Sequence, residues 1–162
     1  MSRTMTRGEA LATRLEAVTD EMLTTVSACT DEQWCRATVS EGWPVGVVAH
    51  HVAEVQRFFA GILTALAAGE RSPAVVLGED IDQNNARHAR DFAAVGKPET
   101  LNALRDSGAT LTRVLRALSD EDLGTVALAI DGQELSAEQV VELALINHFR
   151  EHLASIRAAM MT

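Results

Sequence analysis

Tyrosine is absent from this chain of 162 residues, and aromatic side chains of all kinds make up only 4% of it. Lysine occurs once, at Lys97, and 23 acidic residues face 14 basic ones, for a formal charge of −9. Phosphate contacts need clustered positive charge and single strands need stacking rings, so nucleic acid is excluded as a partner. Cysteine appears twice, as Cys29 and Cys35 with five residues between them. That is neither a disulfide framework nor a C-x-x-C metal or redox motif. The longest apolar run, Phe58 to Ala68, is broken by Gly61 and Thr64 and is too short to span a bilayer, so no membrane role is expected. The first eight residues hold Arg3 and Arg7 with no apolar stretch behind them. No secretory leader is read there, and a cytoplasmic protein is the expectation.

What the chain does have is helical periodicity. Its 47% hydrophobic and 23% charged fractions are those of ordinary globular proteins. A single domain over 1–162 would bury roughly 68–70% of its unfolded surface without a disulfide or a metal. From Glu9 to Cys29 the residues Leu11, Leu15, Val18, Met22, Val26 and Cys29 recur at steps of three and four, which puts them on one helix face. Cys29 ends that stripe as a small buried apolar residue. Thr30 and Asp31 would cap a short turn through Trp34. A second helix is expected from Pro44, tolerated in a first turn, to about Gly69, and Ser72-Pro73 marks the loop after it.

A shorter helix is expected from Asp80 to Val95, stopping before Gly96-Lys97-Pro98. A third long helix then carries Leu101, Leu104, Gly108, Leu111, Leu115 and Leu118 on its face, with Gly108 permitting close helix approach or leaving a pocket. Thr125 to Leu135 around Asp131-Gly132 reads as a small hairpin or ordered loop. Ser136-Ala137-Glu138-Gln139 fits a capping box opening the last helix, whose stripe is Val141, Leu145, His148, His152, Ser155 and Ala159. The expected fold is all-α: a four-helix bundle with a short extra helix and a small loop or hairpin before the last helix.

The histidines carry the chemistry. His148 and His152 sit one turn apart on the core-facing stripe, and two imidazoles so spaced can point at a common ion. A third ligand must come from elsewhere, and the second helix offers adjacent candidates whose directions differ by about 100°. His50 aligns with Gly46, Glu54 and Arg57 on the polar face, whereas His51 falls with Val47, Val48 and Val55 on the apolar face. His51 is therefore the inward candidate, and His50 is expected in solvent or behind the ligands. The segment His148-Phe149-Arg150-Glu151-His152 also matches the inverted zinc-peptidase pattern H-x-x-E-H, with Glu151 as base. That site needs a downstream ligand, and no acidic residue follows His152.

Two segments carry a family resemblance. Trp43-Pro44-Val45-Gly46-Val47-Val48-Ala49-His50-His51-Val52 resembles the Trp-x7-His segment, and Asn147-His148-Phe149-Arg150-Glu151-His152-Leu153 the last-helix H-x-x-x-H, of the DinB-like family, also called the YfiT-like metal-dependent hydrolases. Asp31-Glu32-Gln33-Trp34 extends the likeness to nearly the whole chain. The resemblance implies a four-helix bundle holding zinc or nickel through His51, His148 and His152. Ile81 to Ala89 is similar to a stretch near the pocket of mycothiol-related members. Asn85 and His88, which share a helix face with Phe92, would then bind substrate, unless that face is simply exposed and polar.

Three neutral imidazoles leave a coordination position open, as in catalytic rather than structural sites. The resemblance favours S-transfer of a low-molecular-weight thiol, mycothiol- or bacillithiol-like, to an electrophilic small molecule, with the metal lowering the thiol pKa. Thirteen Arg against one Lys point to GC-rich coding and so to mycothiol. One alternative is a hydrolase using metal-bound hydroxide, with Glu54 or Glu151 nearby as base. Another is a non-enzymatic bundle that binds a small molecule or a partner helix. The helical faces are wide enough for a homodimer.

Overall fold

The computed structural model describes residues 4–70, 75–77 and 80–162; the Ser72-Pro73 loop lies outside them. In chain order the elements are α1 (Arg7–Ser27), α2 (Asp31–Trp34), α3 (Val45–Ala67), β1 (Val75–Leu77), α4 (Ile81–Asp91) and α5 (Lys97–Ala117). After these come α6 (Asp120–Gly124), β2 (Val126–Ile130), β3 (Gln133–Ser136), α7 (Ala137–Val140), a π-helical segment (Val141–Asn147) and α8 (His148–Met160). Backbone angles at Val140, Asn147 and His148 all stay right-handed helical, so α7, the π segment and α8 form one continuous last helix. This helix, α1, α3 and α5 make a four-helix bundle, with α5 packed on both α1 and α3. Among the described residues, no helix is long and apolar enough to cross a membrane.

Local sequence sets the boundaries. Thr6, Thr30, Ser119 and Ser136 each form a reciprocal capping box, satisfying free amides at the starts of α1, α2, α6 and α7. Pro98 falls inside the first turn of α5 rather than before it, where its missing N–H costs nothing. The hairpin forms, with Val126–Ile130 antiparallel to Gln133–Ser136. Asp131 and Gly132 both take positive φ, at 49° and 79°, as a two-residue hairpin turn requires. Periodicity gave no sign of β1, a three-residue strand that pairs in parallel with β2. Such a run is too short to show alternation.

Core packing follows the predicted stripes on α1 and α5 and adds Leu63 and Phe149, which lie off every predicted stripe. Leu15, Met22, Leu63, Leu104, Leu111, Leu115, Leu145 and Phe149 are all fully buried. A polar trio sits among them: Gln56 is completely buried, donating from Nε2 to Thr19 Oγ1 at 3.0 Å and accepting from Ser107 Oγ at 2.7 Å. Because α1, α3 and α5 each supply one member, the trio fixes their relative height; a buried polar group left unpaired by sliding would be costly. Gly108 is where α5 comes close, since a Cβ there would lie 2.9 Å from Thr19 Cγ2. Cys29 is buried, with Sγ 3.4 Å from Met160 Sδ, and burial pushes its thiol pKa up.

Gly46 corrects the polar-face assignment on α3. It is buried, and a Cβ at that position would fall inside the Trp34 indole. Trp34 is itself buried and pinned by an Nε1 hydrogen bond of 3.1 Å to the Val95 carbonyl, so it has no room to yield. Gly46→Ala should therefore destabilise the fold by about 1–3 kcal/mol through overpacking, despite alanine's better helix propensity. Urea unfolding checks this; an unchanged or raised midpoint would show that Trp34 does not constrain α3.

Candidate metal centre

The site begins with a loop, not a helix. Between α2 and α3 the chain doubles back: Ala37 bridges Pro44, and the Thr38 amide donates to the Trp43 carbonyl at 2.8 Å. The Gly42 amide donates to the Thr38 carbonyl at 3.0 Å, with Gly42 at φ +71°, a conformation glycine takes without strain. This strap delivers two side chains. Trp43 places its ring edge-on to His51, with centroids 5.5 Å apart, and Glu41 reaches the last helix.

On that helix, His148 Nε2 and His152 Nε2 lie 3.0 Å apart. The other nitrogen of His152, Nδ1, donates to Glu41 Oε1 at 2.8 Å, while Glu41 Oε2 accepts from Ser155 Oγ at 2.6 Å. Nδ1–H donation to the carboxylate leaves the His152 Nε2 lone pair free, the arrangement usual behind metal-bound histidine. His51, from the first turns of α3, completes the group: one ligand atom from each of His51, His148 and His152 falls within 4.8 Å of the others.

The donor set fits a divalent ion. With metal–nitrogen distances of about 2.0–2.1 Å, two ligand nitrogens on a tetrahedral ion are about 3.3 Å apart, close to the His148–His152 spacing. Imidazole nitrogens suit zinc and nickel alike, so the donors do not select between them.

Electrostatics keep His51 and His148 in the neutral form that binds metal. Burial pushes the His51 pKa from 6.5 down to about 3, helped by His152, His88 and His148 and opposed by Glu41. Burial lowers His148 as well, with His152 adding to it. Burial would raise the Glu41 carboxyl, but hydrogen bonds from Ser155, Thr38 and His152 outweigh it, and the net shift is downward. A carboxylate therefore stands behind the cluster.

The remaining candidates divide. His50 is buried rather than solvated: its Nδ1 lies 2.9 Å from His88 Nε2, and its ring stacks on Phe92 at 4.0 Å. α2 and α4 cover the face that periodicity alone assigns to solvent. His88, half-buried on α4, is edge-on to His51 with centroids 5.4 Å apart, so every histidine in the chain joins one cluster. Asn85 is half-buried one turn before His88. Glu54 is half-buried and bonded to Arg57 at 2.6 Å, and Glu151 is exposed. Glu41 was not among the sequence candidates, since a loop residue has no period to betray it; its place two residues before Trp43 is the one available sign.

The sequence and the fold both have counterparts among known proteins. A family model described as the DinB superfamily matches residues 14–156. A solved structure, YfiT from Bacillus subtilis, superposes with a TM-score of 0.78 at 21% identity, covering 98% of this chain and 88% of that one. It is described as a probable metal-dependent hydrolase with an unusual four-helix bundle topology. No curated protein matches the sequence.

Two expectations follow from the site. Below 6.5 an unfolded imidazole takes a proton that folded His51 refuses, so the unfolded state binds more protons and metal-free stability is lost as the pH is lowered. The loss should run from 6.5 towards about 3 and be shallower in His51→Phe; urea midpoints that stay level across that window would contradict it. Glu41→Ala should weaken metal affinity by about 10–100-fold, with Glu41→Gln recovering part by keeping an acceptor for His152 Nδ1. Competition against a chelator measures both variants, and an unchanged affinity would remove Glu41 from the site.

Proposed function

The chain belongs to the DinB superfamily, and on that premise we propose that it is a divalent-metal-dependent transferase that activates a low-molecular-weight thiol for attack on an electrophilic small molecule. The observation that carries the reading is the meeting of His51, His148 and His152 in one largely buried cluster, with the His51 and His148 pKa values lowered. A zinc or nickel ion held there by three neutral ligands would keep its full positive charge and an open position, lowering the pKa of a bound thiol or water.

The chain's own residues divide the remaining work. Glu41 orients His152 through Nδ1, and Ser155 holds Glu41 in turn. Trp43 packs edge-on to His51 and limits water on that side. Asn85 and His88 would meet the substrate from α4. In the transfer the thiol would give up its proton to solvent, its sulfur would bond to the electrophilic carbon, and any leaving group would depart with the bonding pair.

The carboxylates support this class of reaction. Both oxygens of Glu41 are engaged, Glu54 is paired with Arg57, and Glu151 faces outward. A thiol that binds as thiolate needs no carboxylate base. Hydrolysis is the second reading, supported by the description of YfiT, and it would use the same ion with water in place of the thiol. The composition's single Lys97 against thirteen Arg supports mycothiol over bacillithiol.

Untagged protein purified without added metal should carry about one zinc or nickel per chain, as a site with one set of three ligands implies. The double variant His148→Ala/His152→Ala should carry none. With common cellular thiols and a panel of electrophiles, the loaded protein should form conjugates, and His51→Ala should abolish them. Metal uptake without any metal-dependent conjugate would turn the reading towards hydrolysis. Failure to take up metal at all would leave a binding bundle.

A further inference from the structure

His88 Nδ1 is buried and has no hydrogen-bond partner, the one such side-chain atom among the described residues. The same ring's other nitrogen is satisfied, lying 2.9 Å from His50 Nδ1. A buried polar atom left unpaired costs stability, so such a site calls for a partner that arrives from outside the chain. Its surroundings narrow that partner. The ring is edge-on to His51 at 5.4 Å, tilted against Trp43 at 6.4 Å and packed on Phe92 at 4.8 Å. It stands between the imidazole cluster and an aromatic wall.

We infer that His88 Nδ1 hydrogen-bonds the ligand atom that occupies the metal's open position, and that His50 positions His88 by fixing its tautomer. The inference rests on the three-histidine metal reading and adds the atom that recognises the bound anion. For Nδ1 to donate to an anion it must carry the proton, so Nε2 must accept, and His50 Nδ1 must be the donor across their contact. Phe92 stacks on His50 and lies tilted against His88, and the two imidazole planes stand within 19° of each other. The ligand class is a small anion, whether a thiolate or a simple inorganic one.

The test uses the full chain loaded with cobalt(II), azide as the anion probe and visible absorption as the readout. His88→Phe keeps a ring against His50 and Phe92 but removes both nitrogens. It should weaken azide binding by about tenfold to a hundredfold, the range for a hydrogen bond to a charged group, while leaving chelator-measured cobalt affinity unchanged. His88→Asn places an amide nitrogen where Nδ1 stood, three bonds from Cα, and should restore most of the azide affinity. His50→Phe should weaken azide less than His88→Phe, because the His88 donor remains but its tautomer is free.

Unchanged azide affinity in His88→Phe overturns the inference and leaves the metal site standing. An equal fall in cobalt affinity also overturns it, since His88 would then hold the metal or the fold rather than the anion. Wild-type protein that takes up no cobalt overturns the metal reading and this inference together.

Discussion

The hydrogen bond from His152 Nδ1 to Glu41, 2.8 Å long, is the contact on which the site's construction turns. It ties a loop residue to the last helix and decides which nitrogen of His152 is free. Without it the ring has two equivalent tautomers, and only one offers Nε2 as a ligand. Much of the neighbouring structure serves that bond. The Thr38–Trp43 turn gives Glu41 its reach, Gly42 supplies the left-handed backbone the turn needs, and Ser155 takes the second carboxylate oxygen. The same turn seats Trp43 against His51. One short loop thus orients ligands on two different helices.

Behind the loop, the bundle must hold α3 and the last helix at the right height. The Gln56–Thr19–Ser107 trio settles the height of α3 against α1 and α5. Gln56 is five residues from His51 on the same helix, so a slip of one turn would move the ligand by about 5.4 Å. The π-helical segment Val141–Asn147 acts on the other side. It ends immediately before His148, and the wider turn makes buried residues recur at five, from Val140 and Val141 to Leu145 and Ile146. π-helical turns are uncommon and often found at functional sites. Here the segment resets the face that α8 presents, so Phe149, Leu153 and Ile156 pack inward while His152 meets Glu41.

Sequence periodicity read this architecture well where burial is one-sided. The apolar stripes of α1, α5 and the last helix come from spacing that a two-sided helix imposes, and the capping box at Ser136 and the turn at Asp131-Gly132 from local sequence. It failed where a residue is covered by something other than the bundle core. His50 and Gly46 lie on the outer face of α3, yet α4 and Trp34 bury them; a single helix's pattern cannot show a neighbour that arrives from another part of the chain. Glu41 escaped for a different reason. It lies in a turn without period, and its partners are 111 and 114 residues away. The π segment left no mark because its apolar residues fit an α stripe almost as well.

The two halves of the site differ in how they are held. His51, His148 and His152 stand on helices that also supply much of the main core, so their positions are backed by the apolar cluster. α4 buries no residue, and it meets the site through His88 and, just past its end, Phe92. Stability within a fold is uneven, and elements with little buried apolar area open most easily. For the proposed function, a rigid triad with a lightly held wall would separate two demands: ligand nitrogens that stay fixed and a wall that admits and releases a substrate. Because the imidazoles and aromatic rings that link α4 to the bundle also line the cluster, a ligand bound there would add to the very contacts that hold α4 in place. Specificity would then reside in α4 and vary with its sequence, while the metal-holding residues stay fixed by the core.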